Sequence, residues 1–161
     1  MNENFTFPPE IEAILSDESP DGVFFYAEDV EVPNFKNIDD IKDWIRHIAT
    51  KENKELGYLQ YIFCSDEYLL KINKEHLDHD YYTDIITFPY NSAPIEGDVF
   101  ISIDRVKDNA QQFEVNYEIE LYRVLAHGLL HLCGYLDKTE AEISVMREKE
   151  NEYMGEISKF I

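Results

Sequence analysis

Positive charge is scarce in this sequence, and the scarcity is uneven. The chain holds 14 Lys and Arg against 34 Asp and Glu, a formal net charge of −20. Taken alone, that argues against a nonspecific nucleic-acid binder, which is normally basic. Residues 1–35 contain no Lys or Arg, and half of the basic residues fall between Lys36 and Lys74. A local positive surface is therefore open only to the later part of the chain. Cysteine is nearly absent too. Cys64 and Cys133 sit in apolar runs and do not make a disulfide framework, so both are expected as reduced core residues. No stretch approaches the roughly 20 apolar residues of a membrane helix. The opening "MNENFTFPPE" lacks the basic and apolar regions of a signal peptide, so a cytoplasmic protein with no membrane association is expected.

What is present suits one folded domain. The 161 residues are 44% hydrophobic and 14% aromatic, enough for a core despite 30% charged residues. Residues 1–21 are polar, acidic and broken by Pro8, Pro9 and Pro20; they read as an appendage to a single domain over 22–161. "VFFYAEDVEV" from Val23 is rich in strand formers. Ile38, Ile41, Ile45 and Ile48 recur at helical spacing, and His47 lies partly off that stripe, in a solvent or packing role. "LGYLQYIFC" is a strand by composition, and Ser65 is placed to cap the helix after it. "TDIITFPY" is a strand closed by Pro89, "NSAPIEG" a loop, and "DVFISID" a strand by its two-residue alternation. Asp104 is placed to cap a helix over 105–113. The longest helix covers about Tyr117 to Cys133, and a last one starts at Thr139. The sum is about four strands and four or five helices, an α+β or mixed α/β domain.

Within the longest helix, "LAHGLLHLCGYLD" carries His127 and His131 four residues apart, on one helical face. Gly134 can take the left-handed conformation that reverses a chain after a helix. Asp137 can then swing back toward the two imidazoles. Two nitrogen ligands, one oxygen ligand and an open position make the layout of a catalytic zinc site. A buried helix with two hydrogen-bonded histidines is the bland alternative. The pattern is close to the zinc-peptidase motif, but the residue after the first histidine is Gly128, where a peptidase needs a glutamate base. Peptide hydrolysis by that route is disfavoured.

"HGLLHLCGY" resembles the H-G-x-L-H-L-x-G-Y-D-H signature of the bacterial YbeY family of rRNA-maturation endoribonucleases. "TDIITFPY" (83–90) is similar to the family's T-[DN]-V-L-S-F-P, "GDVFIS" (97–102) to its G-D-I-x-I-S, and "CSDEYLLKIN" (64–73) to the segment after its second strand. These blocks occur in family order across most of residues 23–153. The resemblance implies an α+β fold, a small mixed four-stranded sheet flanked by about five helices. It also implies one divalent metal ion, usually Zn2+, at the mouth of a cleft at the end of the long helix. The implied activity is single-strand-specific endoribonuclease cleavage in 16S rRNA 3′-end maturation and ribosome quality control. The implied partners are rRNA and the ribosomal subunit or its proteins.

Two positions depart from the family pattern. The usual third histidine ligand is replaced by Asp137, whose carboxylate can still bind zinc but loosens discrimination against manganese or iron. Many relatives carry an arginine where this chain has Leu77. Lys74, His76, His79 and Arg105 are the candidates to do that arginine's work. Arg105 is taken as a catalytic cation, and Lys74 and His79 as substrate contacts. Each also has a bland reading as a solvated helix residue, a loop residue or an ion-pair partner. Asp84 and Asp98 could orient RNA or a histidine, or cap strand ends. Cys133 points away from the ligands, into packing. Two other function classes stay open: a non-catalytic ribosome-assembly factor with a structural metal, and a metal-dependent hydrolase of another substrate.

Overall fold

A computed structural model describes residues 22–77 and 83–161. The expected appendage over 1–21 and the candidate His79 lie outside the described residues. The elements run β1 (Val23–Ala27), α1 (Ile38–Lys51), β2 (Leu56–Cys64), α2 (Asp66–Leu77), β3 (Ile85–Ser92), β4 (Ile95–Ser102), α3 (Ile103–Gln112), α4 (Tyr117–Leu132) and α5 (Glu140–Glu156). A 3-10 turn (Ile157–Lys159) follows. The strands form one mixed sheet in the order β1-β2-β4-β3. β1 and β4 flank β2 in parallel, and β3 closes the edge antiparallel to β4. This is the α+β architecture expected from the sequence.

Alternation along β2 sorts its side chains to two faces. Leu59, Tyr61 and Phe63 join Val23, Val99 and Ile101 in the main core, against Trp44, Ile45 and Ile48 of α1 and Leu121, Leu125 and Leu129 of α4. The opposite face carries a smaller cluster, Cys64, Leu69, Ile72 and Ile86, under α2. Two hydrogen bonds peg the layers: Tyr61 donates to the Leu125 carbonyl at 2.8 Å and Trp44 to the Tyr153 carbonyl at 3.0 Å. Buried donors of this kind almost always find acceptors, because leaving one unmade costs more than a net bond gains.

Some boundaries differ from the sequence expectation. β3 does not stop at Pro89 but runs to Ser92, with a register shift between Pro89 and Asn91. An edge strand tolerates a residue with no N–H, particularly at a bulge. "NSAPIEG" is accordingly a tight hairpin and not an extended loop. Ser65 does cap its helix, its hydroxyl accepting from the Tyr68 N–H at 3.2 Å. Asp104 does not cap α3. Ser102 does, accepting from the Arg105 N–H at 3.2 Å, while Asp104 accepts from the Asp66 N–H at 2.9 Å. Thr139 caps α5 in a reciprocal box with Glu142. His47 hydrogen-bonds Glu156 and lies against the Phe160 ring, the packing role expected of it.

Candidate metal centre and its cleft

Gly128 decides how close the site can come to the sheet. A Cβ there would stand 2.7 Å from Val99 Cγ1 and 3.0 Å from Ile85 Cδ1. With hydrogen in that place, α4 lies directly on β3 and β4, and His127 and His131 project from its flank. Position 128 therefore faces the sheet, so a glutamate there would meet β4 before it met the site. The peptidase reading fails on geometry as well as on residue type.

The end of α4 turns as Gly134 predicts. Its φ is +109°, in the region that favours glycine. The Gly134 N–H donates to the His131 carbonyl at 3.0 Å and the Tyr135 N–H to the Leu130 carbonyl at 3.1 Å, a Schellman closure. That reversal brings Asp137 back. Its Oδ2 stands 3.2 Å from His127 Nε2 and 3.2 Å from His131 Nε2. One donor atom from each of the three residues lies within 4.8 Å of the others.

Each imidazole is fixed through its other nitrogen. His131 Nδ1 lies 2.9 Å from the Tyr135 carbonyl and His127 Nδ1 lies 3.0 Å from Glu150 Oε2. A carbonyl can only accept, so His131 Nδ1 carries the hydrogen. Glu150 is nearly buried, and burial alone would raise its pKa. Its hydrogen bonds with His127 and Arg123 outweigh that and hold it below the usual carboxylate range, so it accepts as well. In their neutral forms both histidines therefore aim an Nε2 lone pair at the same carboxylate oxygen. Three acceptors converge with no donor among them. A proton on an Nε2 or a cation between the three would complete such a set, and two imidazole nitrogens with one carboxylate suit a divalent metal. Burial pulls the His127 pKa down, but the Glu150 hydrogen bond and the charges of Glu150, Asp84 and Asp137 outweigh it and leave it raised. The same negative field that raises it attracts a metal ion.

Beside this centre lies a cleft of about 300 Å³ between α4, α5 and the end of α3. Asp84, Glu120, Asp137 and Glu150 line it together with Arg123, Arg147 and His127. Burial raises the pKa of Asp84 and of Glu120, although His127 and Arg123 respectively oppose the shift. Asp84 thus stands in the cleft, near His127. Asp98 does not. It is buried on the α2 side of the sheet, where Tyr90 donates to its Oδ2 at 2.9 Å and burial pushes it up to about 6.

The other sequence candidates are not among the residues that line the cleft. Arg105 Nε donates to both Asp66 oxygens at 3.0 Å, and its Nη1 to Asp108 at 3.1 Å. Lys74 is exposed on the last turn of α2, and His76 meets the Phe88 ring edge-on at 6.2 Å. Cys133 is half-buried, with its thiol pushed up to about 11 by burial, as packing predicts. Sequence reasoning missed Arg123, Arg147, Glu120 and Glu150. Their signal was available: on α4 and α5 they fall at i, i+3, i+4 and i+7 positions relative to His127 and to one another.

Among the described residues, no helix is long and apolar enough to cross a membrane. A model of the family described as Endoribonuclease YbeY matches residues 23–158. The Endoribonuclease YbeY of Cytophaga hutchinsonii is 55% identical over 131 residues, covering 80% of this chain and 91% of the relative. That of Bacteroides thetaiotaomicron is 47% identical over 134 residues, covering 83% and 97%. A solution structure from Thermotoga maritima superposes with a TM-score of 0.61 at 27% identity, covering 84% of this chain and 88% of that one. By the family model over residues 23–158 and by these relatives, the chain belongs to the YbeY endoribonuclease family.

Proposed function

We propose that this chain is a metal-dependent, single-strand-specific endoribonuclease that acts in 16S rRNA 3′-end maturation and ribosome quality control. Its partners are rRNA and the small-subunit particle with its proteins, and its place of action is the cytoplasm. The observation that carries the reading is the convergence of His127 Nε2, His131 Nε2 and Asp137 Oδ2, with both Nδ1 atoms already engaged. Family membership supports the choice of RNA, since the relatives are named as endoribonucleases.

His127, His131 and Asp137 would hold the cation, and zinc suits a nitrogen, nitrogen, oxygen donor set with a position left over. When bound, the ion supplies Lewis-acid polarisation of a phosphodiester and acidification of water. The protein's own groups do the rest. Glu150 and the Tyr135 carbonyl hold the two rings in one orientation and one tautomer. Asp84 and Glu120 keep the field at the cleft negative, which favours a divalent ion over a bare anion. Arg123, held by Glu150 and Asn151, keeps Glu150 ionised against its burial.

The test is cleavage of a single-stranded oligoribonucleotide and of a 16S precursor. Treatment with a chelator, His127→Ala and His131→Ala should each abolish cutting. Undiminished cutting by both variants would sink the proposal. The net charge of −20 favours a second reading, a non-catalytic assembly factor that binds basic ribosomal proteins. The open three-residue centre speaks against it, because structural zinc normally has four protein ligands.

A further inference from the structure

α4 and α5 turn matching faces into the cleft. Glu120, Arg123, Val124 and His127 recur at i, i+3, i+4 and i+7 on α4, and Ile143, Met146, Arg147 and Glu150 do so on α5. Each face carries one arginine, and the two differ in their commitments. Arg123 Nη1 donates to Glu150 at 3.3 Å and Asn151 at 3.1 Å. Arg147 has no hydrogen bond or ion pair with a described residue. It is exposed and acts electrostatically on Glu120. Phe113, just past the end of α3, lines the same cleft with 55% of its surface in solvent, and Ile143 does so with 47%. Single exposed apolar residues are ordinary. These two share one cleft with an exposed guanidinium that hydrogen-bonds no described residue, and with His127 and Asp137 of the three-residue centre.

Charge restricts what can enter. Four carboxylates face two arginines, so an anion would be held at a divalent ion, were one bound by His127, His131 and Asp137, and at Arg147, whose guanidinium hydrogen-bonds no described residue. A guanidinium fork fits a phosphate. An exposed phenyl ring accepts any base by stacking, and only an unpaired base can reach it. Building on the endoribonuclease reading, we propose that this cleft is the subsite for the nucleotide beside the cut bond. Arg147 binds that nucleotide's phosphate and Phe113 stacks on its base. Phe113 is then the residue that sets the preference for single strands.

The metal-loaded full-length protein is titrated with a fluorescent single-stranded deoxyoligonucleotide and with its duplex, following anisotropy across a salt series. The DNA carries the same phosphates and bases but no 2′-hydroxyl. Arg147→Gln should weaken single-strand binding roughly tenfold and reduce the salt slope by about 0.7, the share of one phosphate contact on a single strand. Phe113→Ala should weaken it roughly tenfold with the slope unchanged, and Phe113→Trp should restore it. Metal content should be the same in all. Arg46→Gln, whose parent residue pairs with Asp43 on α1, is the charge control and should bind like the parent.

No measurable binding by the parent overturns the assignment. So does parent-like affinity and slope in Arg147→Gln, parent-like affinity in Phe113→Ala, or an equal loss in Arg46→Gln. A parent that binds with this dependence but cuts no RNA refutes the reaction reading and leaves the subsite standing. A parent that cuts RNA while both variants bind like it refutes the subsite alone.

Discussion

His127 Nδ1 and Glu150 Oε2 stand 3.0 Å apart, tying α4 to α5 across 23 residues of sequence. That contact fixes the ring so that Nε2 faces Asp137. Outer partners of ligating histidines typically contribute 10- to 100-fold to metal affinity. Glu150→Ala should therefore weaken zinc binding by roughly 10- to 100-fold, measured by competition with a chromogenic chelator. Glu150→Gln should lose less, because its amide oxygen can still accept from Nδ1. Equal affinity in Glu150→Ala and the parent would show that the contact does not orient the ligand.

Gly128 and Val99 make a second pair with a definite consequence. Gly128→Ala puts a methyl 2.7 Å from Val99 Cγ1, so the helix must move off the sheet. Overpacking of this kind costs typically 1–3 kcal/mol. We expect a lower thermal midpoint and weaker metal binding together. Val99→Ala removes the opposing methyl groups, and the double variant should recover part of both losses. Additive effects in the cycle would mean that the two residues are not coupled.

Asp98 predicts a pH dependence unconnected with the metal. It is 1% exposed, with Oδ1 unpartnered among the described residues, and pairs in register with Gln60, whose buried amide likewise has no partner among them. Burial raises its folded pKa to about 6, above the unfolded value. A raised folded pKa means the group's stabilising contribution is full below the unfolded pKa, near 4, and is lost as pH rises through about 6. Two units correspond to roughly 3 kcal/mol. The stability of Asp98→Asn relative to the parent should therefore rise between pH 4 and pH 7, by up to roughly that amount, in chemical denaturation. A difference that stays flat over that range contradicts the assignment.

Asp137 stands where the family pattern has a histidine, so Asp137→His probes the oxygen ligand itself. Replacing the harder ligand with imidazole should raise the ratio of zinc to manganese affinity severalfold. An unchanged ratio would mean that position 137 does not touch the ion.

The strand runs were legible because period-two alternation and β-branched residues mark them directly. β4 is the clear case of alternation, whereas β2, buried without a break from Leu59 to Cys64, was legible from its aromatic and aliphatic composition. The turn at Gly134 and the return of Asp137 were legible because a helix-terminating glycine has one dominant geometry. Pro89 misled, since a proline ends a central strand but not a bulged edge strand, and edge position is a property of the sheet. Asp104 misled because Ser102, two residues earlier, competes for the same cap and wins. Arg105 attracted attention as a cation near a family block, yet its partner Asp66 is 39 residues away and invisible to local pattern. Arg147 and Glu150 carried a periodic signal, but its meaning depends on how α5 crosses α4, which pairs residues distant in sequence.

The central claim is that His127, His131 and Asp137 hold one divalent ion. Elemental analysis of the purified protein beside His127→Ala, His131→Ala and Asp137→Ala tests it most directly. The structure predicts about one zinc-class ion per chain in the parent, as one shared centre requires, and its loss from both histidine variants, with at least a marked reduction in Asp137→Ala. Metal stoichiometry unchanged by all three substitutions would contradict it.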